Sequence, residues 1–202
     1  EGKMIDISKE TAVVFPGQGS QVVGMGSDLY EKSPIAKDIF DEVDDTLGRK
    51  LTDIIFSGSQ ETLNKTENAQ PAITATSLAC FSVFNEKFKN FTPSVTAGHS
   101  LGEYTSLSAS NVLSISDTIR LVSERGRLMQ IACDKNPGGM VAIIGMEIDV
   151  VEEVCREAGA YPSNVNSSQQ VIISGDNDSL AIAVDLAKAR GAKKAIKLSV
   201  GG

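Results

Sequence analysis

Tryptophan is absent from this 202-residue chain, histidine occurs once, and cysteine three times. A lone histidine without paired cysteines leaves no metal-ligating spacing, which excludes a zinc site from the reading. Cys80, Cys133 and Cys155 are odd in number, far apart and without a C-x-x-C pair, which excludes a disulfide framework. They read as reduced thiols of a cytoplasmic protein. Positive charge is also scarce. Lys and Arg number 19 against 26 Asp and Glu, a net −7, whereas nucleic-acid or membrane-surface binding calls for a basic face. No apolar run approaches the roughly 20 residues that span a bilayer, and no leader-like segment precedes Val13. What remains is a globular chain, 41% apolar and 22% charged, long enough for one large domain or one and a half.

What is present is Gly98-His99-Ser100-Leu101-Gly102, the G-x-S-x-G pattern of a serine nucleophile on a sharp strand-to-helix turn. Residues 94–97 upstream read as a short buried strand, and Leu101, Tyr104 and Leu107 downstream have helical spacing. That order puts Oγ at a helix N-terminus, where backbone N–H groups favour a developing oxyanion. Glycines flank the serine because it is held in a strained conformation with close neighbours. An ordinary glycine-rich turn is the plainer reading of the same five residues. A nucleophilic serine also needs a general base, usually a histidine far away in sequence. His99 is its immediate neighbour, and neighbours on a tight turn point in different directions, so His99 receives no base role.

Residues 11–15 are a continuous apolar run with the length of a buried strand, followed by the loop Pro16-Gly17-Gln18-Gly19-Ser20-Gln21. Helices are expected around 33–47, 52–56, 69–88 and 116–133. The last is capped by Ser116 or Asp117 and broken at Asn136-Pro137-Gly138-Gly139. After the break come a strand at 140–145, a helix at 149–158, and strands at 161–166 and 170–174 paired across Ser167-Ser168. A helix at 178–189 and a strand at 192–200 complete the series. This β-α-β-β-α-β order is that of a ferredoxin-like unit. The sequence therefore predicts an α/β fold in two parts. Residues 4–137, counted from a native-like Met4, carry the pentapeptide, and residues 138–200 form the ferredoxin-like subdomain.

Four ordered motifs now resemble the malonyl-CoA:acyl-carrier-protein transacylases of fatty-acid synthesis. They are Val14-Phe15-Pro16-Gly17-Gln18-Gly19-Ser20-Gln21 and Gly98-His99-Ser100-Leu101-Gly102-Glu103-Tyr104. Arg125-Gly126 with Met129-Gln130 follows, then Asn164-Val165-Asn166-Ser167 before Val171-Ile172-Ile173-Ser174-Gly175. Trans-acting acyltransferases of polyketide synthases share these motifs. The resemblance implies an α/β-hydrolase-like core, incomplete at its C-terminus here, carrying an inserted ferredoxin-like subdomain. It also implies ping-pong acyl transfer. A serine attacks the malonyl thioester, coenzyme A leaves, and the phosphopantetheine thiol of acyl carrier protein then takes the acyl group. Ser100 matches the nucleophile, Gln18 and the backbone N–H of Leu101 match the oxyanion hole, and Arg125 matches the residue that binds the malonyl carboxylate. A planar, permanently charged fork suits a carboxylate. Neither a cofactor nor a metal is implied; coenzyme A enters only as the substrate thioester.

Other readings stand beside these. Arg125 next to Glu124 also fits a solvated helix surface. Gly17-Gln18-Gly19 as a phosphate cradle fails, because Val22 replaces the third glycine and no Gly-Lys-Ser/Thr follows. His99, Met129 and Asn166 are candidates for the substrate pocket, although Met129 better suits core packing and Asn166 as readily caps a turn. Lys188, Arg190, Lys193, Lys194 and Lys197 form a candidate basic patch for the acidic carrier protein, or a solvated helix end. Family members carry their catalytic histidine just beyond the strand that matches residues 195–200. The resemblance thus implies that these 202 residues alone are inactive or nearly so. A serine esterase or thioesterase shares the pentapeptide but does not predict Arg125. A non-catalytic carrier-binding module needs no base at all.

Overall fold

The computed structural model describes residues 11–89 and 91–198. The chain divides into two compact units, one through Leu128 and one from Met129.

In the first unit, β1 (Ala12–Phe15) is followed by α1 (Ser27–Lys32), α2 (Pro34–Leu47), α3 (Leu51–Ser57), α4 (Gln60–Asn64) and α5 (Thr66–Lys87). Then come β2 (Val95–Gly98), α6 (Gly102–Ala109) and α7 (Ile115–Lys135). Helix α2 starts where the Ser33 hydroxyl accepts the Ala36 N–H with Pro34 in the first turn, and it stops at left-handed Gly48. Its inner residues Ala36, Phe40 and Val43 pack with Leu51, Ile55, Leu63, Ala72 and Ile119 into one core. Helix α5 is buried along its first half even though Pro71 lies inside it. That proline removes the N–H that would reach the Glu67 carbonyl, and Arg49 Nη2 donates to this carbonyl instead, at 3.4 Å.

Sequence expectations need correction in this unit. β1 and β2 pair in parallel, with Ala12 opposite Val95 and Val14 opposite Ala97. Alternation sends these four to one face, where Val14 is 72% and Val95 56% exposed, so neither strand is buried. An apolar run encodes a strand covered on both faces, and among the described residues only the Phe15 side has its cover. Helix α7 begins at Ile115, one turn-position earlier than read, because Ser114 is its cap. The Ser114 hydroxyl accepts the Asp117 N–H at 3.0 Å, while Ser116 donates to Glu42 at 2.6 Å. The short helices α1 and α4 were not legible as periodic segments.

In the second unit the elements are β3 (Gly139–Ile144), α8 (Ile148–Ala158), β4 (Tyr161–Ser167), β5 (Gln170–Gly175), α9 (Asn177–Ala189) and β6 (Lys194–Lys197), the order the sequence predicts. They form a four-stranded antiparallel sheet in the order β4-β5-β3-β6. Inward residues Val141, Ile143, Val171 and Ile173 pack against Val151 and Val154 of α8 and Leu180 and Ala183 of α9. Residues 199 and 200 of the expected last strand lie outside the described residues. The division between units falls inside α7, ahead of Pro137. The last turns of that helix share a cavity of about 600 Å³ with β3 and β5, lined by Met129, Cys133, Asn136, Met140, Ser174 and Asp176.

Candidate active site

The turn between β2 and α6 is built on glycines because backbone meets backbone there. A Cβ at Gly98 would lie 1.9 Å from the Gly102 carbonyl carbon, and one at Gly102 would lie 2.3 Å from the Phe15 oxygen. Between them Ser100 takes φ 51°, a left-handed conformation that a non-glycine residue adopts only under constraint. The His99 N–H donates to Phe15 O at 3.1 Å, tying the turn to the end of β1. Ser100 is exposed, whereas Leu101 is fully buried and anchors the start of α6. The first turn closes on itself, with the Gly102, Glu103 and Tyr104 N–H groups donating to His99 O, Ser100 O and Leu101 O at 2.9, 3.1 and 3.1 Å.

The loop after β1 rests on this turn. A Cβ at Gly17 would sit 2.6 Å from His99 O and 2.7 Å from His99 Nδ1, so the His99 ring lies against the loop. Inside the loop, Ser20 Oγ donates to Gly17 O at 2.9 Å, and the Gly19 N–H donates to Gln21 Oε1 at 2.8 Å. Gln21 Nε2 in turn donates to Asn64 Oδ1 at 3.0 Å, and Gln60 Nε2 donates to Asn64 Oδ1 at 2.8 Å. Gln18 Nε2 donates to Thr66 Oγ1 at 3.2 Å.

Arg125 projects from α7 to the same place. Its Nη2 donates to Ser100 Oγ at 3.0 Å and its Nη1 to Gln70 Oε1 at 2.9 Å. The guanidinium carbon stands 5.8 Å from the centre of the Tyr104 ring. This position requires α7 to press on α5. A Cβ at the next residue, Gly126, would lie 2.7 Å from Thr66 O. The solvated-surface reading of Arg125 is therefore replaced: the residue is half-buried and turned toward the serine.

The first unit thus gathers Ser100, Leu101, His99, Gln18 and Arg125. Met129 and Asn166 belong to the second unit, where Met129 lines the cavity described above and Asn166 is exposed on β4. The five basic residues do not form one patch. Arg190 is engaged by Glu157 at 2.6 Å and lies 3.9 Å from Glu153. Strand alternation sets Lys197 with Ala195, on the helix side, and Lys194 with Ile196, on the other. Among the described residues no group of three or more His, Cys, Asp or Glu could hold a metal ion. Among the described residues no helix is long and apolar enough to cross a membrane.

Sequence reasoning missed Thr66, Gln70, Gln60 and Asn64. In the sequence Thr66 and Gln70 show only as polar residues beside and within an apolar helical run, which calls for partners without saying which. An apolar cavity of about 670 Å³ beside Phe15, Ile73, Cys80, Phe81 and Phe84 is lined by neither Ser100 nor Arg125. The chemistry therefore places the site, not cavity size.

The acyl transferase domain family matches residues 12–201. The chain is 45% identical over 196 residues to the malonyl CoA-acyl carrier protein transacylase of Bacillus subtilis, covering 95% of this chain and 61% of that protein. Among solved structures it is similar to a malonyl-transacylase in complex with a type II polyketide-synthase acyl-carrier protein, with TM-score 0.89 and 42% identity over 95% of this chain and 63% of that one. It is also similar to an acyl carrier protein S-malonyltransferase of Vibrio cholerae, with TM-score 0.87 and 41% identity over 95% of this chain and 64% of that one. The chain spans less than two thirds of the length of these relatives.

Proposed function

Since the chain belongs to the malonyl-CoA:acyl-carrier-protein transacylase family of acyl transferases, we propose that it carries the nucleophile and the selectivity residue of an enzyme that moves malonyl from malonyl-CoA to the phosphopantetheine thiol of acyl carrier protein. On this reading its first unit is the larger part of an α/β-hydrolase-like core and its second a ferredoxin-like subdomain. The observation that carries the proposal is the 3.0 Å contact of Arg125 Nη2 with Ser100 Oγ. In a malonyl thioester one methylene separates the reacting carbonyl from the free carboxylate. A cation that binds that carboxylate must therefore stand within a few ångströms of the attacking oxygen. Arg125 does, and its fork can pair with both carboxylate oxygens.

In the first half-reaction Ser100 Oγ attacks the thioester carbonyl and its proton passes to a base. The oxyanion is held by the Leu101 N–H and by Gln18, and coenzyme A leaves as the thiol. In the second, the carrier's thiol attacks the malonyl-serine ester, and Ser100 regains its proton as the leaving oxygen. An acetyl group lacks the carboxylate and would leave the guanidinium unpaired in a half-buried site, which disfavours it. The base is assigned to the part of the family's length that this chain does not span.

Mass spectrometry of the full-length protein after incubation with malonyl-CoA and with acetyl-CoA tests the reading. A malonyl adduct on Ser100 with little acetyl adduct supports it. Equal acylation followed by hydrolysis would indicate a serine esterase or thioesterase instead, and no adduct a non-catalytic carrier-binding module. The polyketide-synthase carrier protein bound to one similar structure favours a second reading of the acceptor, in which the malonyl group serves polyketide rather than fatty-acid synthesis.

A further inference from the structure

Thr66 and Gln70 lie one helical turn apart on α5, so their side chains share a face. Both are buried, Thr66 to 3% and Gln70 to 0% exposure. Thr66 Oγ1 accepts from Gln18, and Gln70 Oε1 accepts from Arg125. One turn of one helix therefore braces both the loop after β1 and the guanidinium beside Ser100. The close seating of Gly126 against Thr66 O fixes α7 at this spot.

The chemical identity of the Gln70 acceptor matters. A buried guanidinium is held most strongly by a carboxylate, which pairs bidentately and cancels its charge. Gln70 offers one neutral oxygen, which takes a single N–H of the five and leaves the positive charge intact. Resting on the malonyl-transfer reading above, we infer that Gln70 is a specificity-determining positioning residue. It fixes Arg125 in place while keeping its charge uncompensated, so that the carboxylate of a dicarboxylic acyl donor becomes the counter-ion. Gln70 acts through Arg125 and touches no reacting atom.

The test compares malonyl-CoA with acetyl-CoA as acyl donors in the full-length protein carrying Gln70→Glu or Gln70→Met. Glutamate at this depth beside Arg125 ionises and supplies the counter-ion internally. The malonyl kcat/KM should fall about 10- to 100-fold, with acetyl transfer within about threefold of the parent, so the donor ratio collapses. Methionine keeps the length and removes the acceptor, and should raise the malonyl KM several-fold with the same sparing of acetyl transfer. A role in packing alone would lower both donors together. If both variants, folded by circular dichroism, keep the parent's malonyl-to-acetyl ratio, the inference is overturned. Failure of the underlying reading looks different: the parent itself would show no malonyl preference, and Arg125→Ala would leave the ratio unchanged.

Discussion

Gly17 and His99 touch through a contact that no other residue at position 17 permits. The missing Cβ would stand 2.6 Å from the His99 carbonyl oxygen and 2.7 Å from its Nδ1. The loop that presents Gln18 is thereby laid directly on the turn that presents Ser100. Replacing Gly17 with alanine must push the loop away from the turn, carrying Gln18 with it. Misplacing a catalytic group by about 1 Å costs on the order of 10²-fold, so the Gly17→Ala protein should keep its fold by circular dichroism while kcat for malonyl transfer falls about 10- to 100-fold. Unchanged kcat would remove the loop from the site.

Arg125 should govern which donor is accepted. Arg125→Ala removes a charge-assisted fork, and a loss of about 10- to 100-fold in malonyl kcat/KM is expected. Acetyl transfer, freed of an unpaired cation, should hold steady or rise. Arg125→Lys keeps the charge but not the two parallel bonds, and should fall between the parent and the alanine protein. Competition between malonyl-CoA and acetyl-CoA for Ser100, read by mass spectrometry, measures all three.

Carrier docking should depend on fewer lysines than the sequence suggests. Arg190 is held by Glu157, and Lys197 shares the helix side of its strand with Ala195. Lys193 and Lys194, both exposed, are adjacent in sequence at the start of β6. Reversing both to glutamate should raise the carrier KM about 2- to 10-fold and flatten its salt dependence, with the KM for malonyl-CoA unchanged. A carrier KM equal to the parent's would rule this surface out.

The three thiols should separate by reactivity. Burial pushes the Cys155 thiol up to about 11, with Glu152 adding to the shift, and its side chain sits in the core of the second unit. The thiolate is the reactive form, so native alkylation at pH 8 should label exposed Cys80 first and Cys155 last. Peptide mapping against time gives the order, and early labelling of Cys155 would mean that the second unit opens readily.

Much of this was legible in the chain, and the remainder was not for identifiable reasons. The second unit could be read element by element because α8 carries one apolar face and the short apolar runs of β3 and β5 are bounded by turn residues. Ser100 and its glycines were legible because only those residue types survive such close backbone contact. The exposure of Val14 and Val95 was not, since an apolar run encodes a need for cover and not whether cover is present. Nor were Thr66 and Gln70, because a hydrogen bond between elements distant in sequence leaves no local period. Arg125 was ambiguous for the same reason: its place beside Ser100 depends on Gly126 letting α7 meet α5.

The last prediction concerns the base. His99 is the only histidine in the 202 residues, its ring lies against Gly17, and Ser100 Oγ accepts from Arg125. An arginine donating to the nucleophile cannot remove its proton, because the guanidinium stays charged at any working pH. His99→Gln in the full-length protein should therefore lower kcat less than about 10-fold and leave its pH profile in place, whereas Ser100→Ala should abolish acylation. The 202-residue polypeptide alone should bind malonyl-CoA yet acylate Ser100 about 10²- to 10⁴-fold more slowly than the full-length protein, the range a positioned general base supplies. Equal acylation rates for the two, or loss of the pH profile in His99→Gln, would assign the base role to His99.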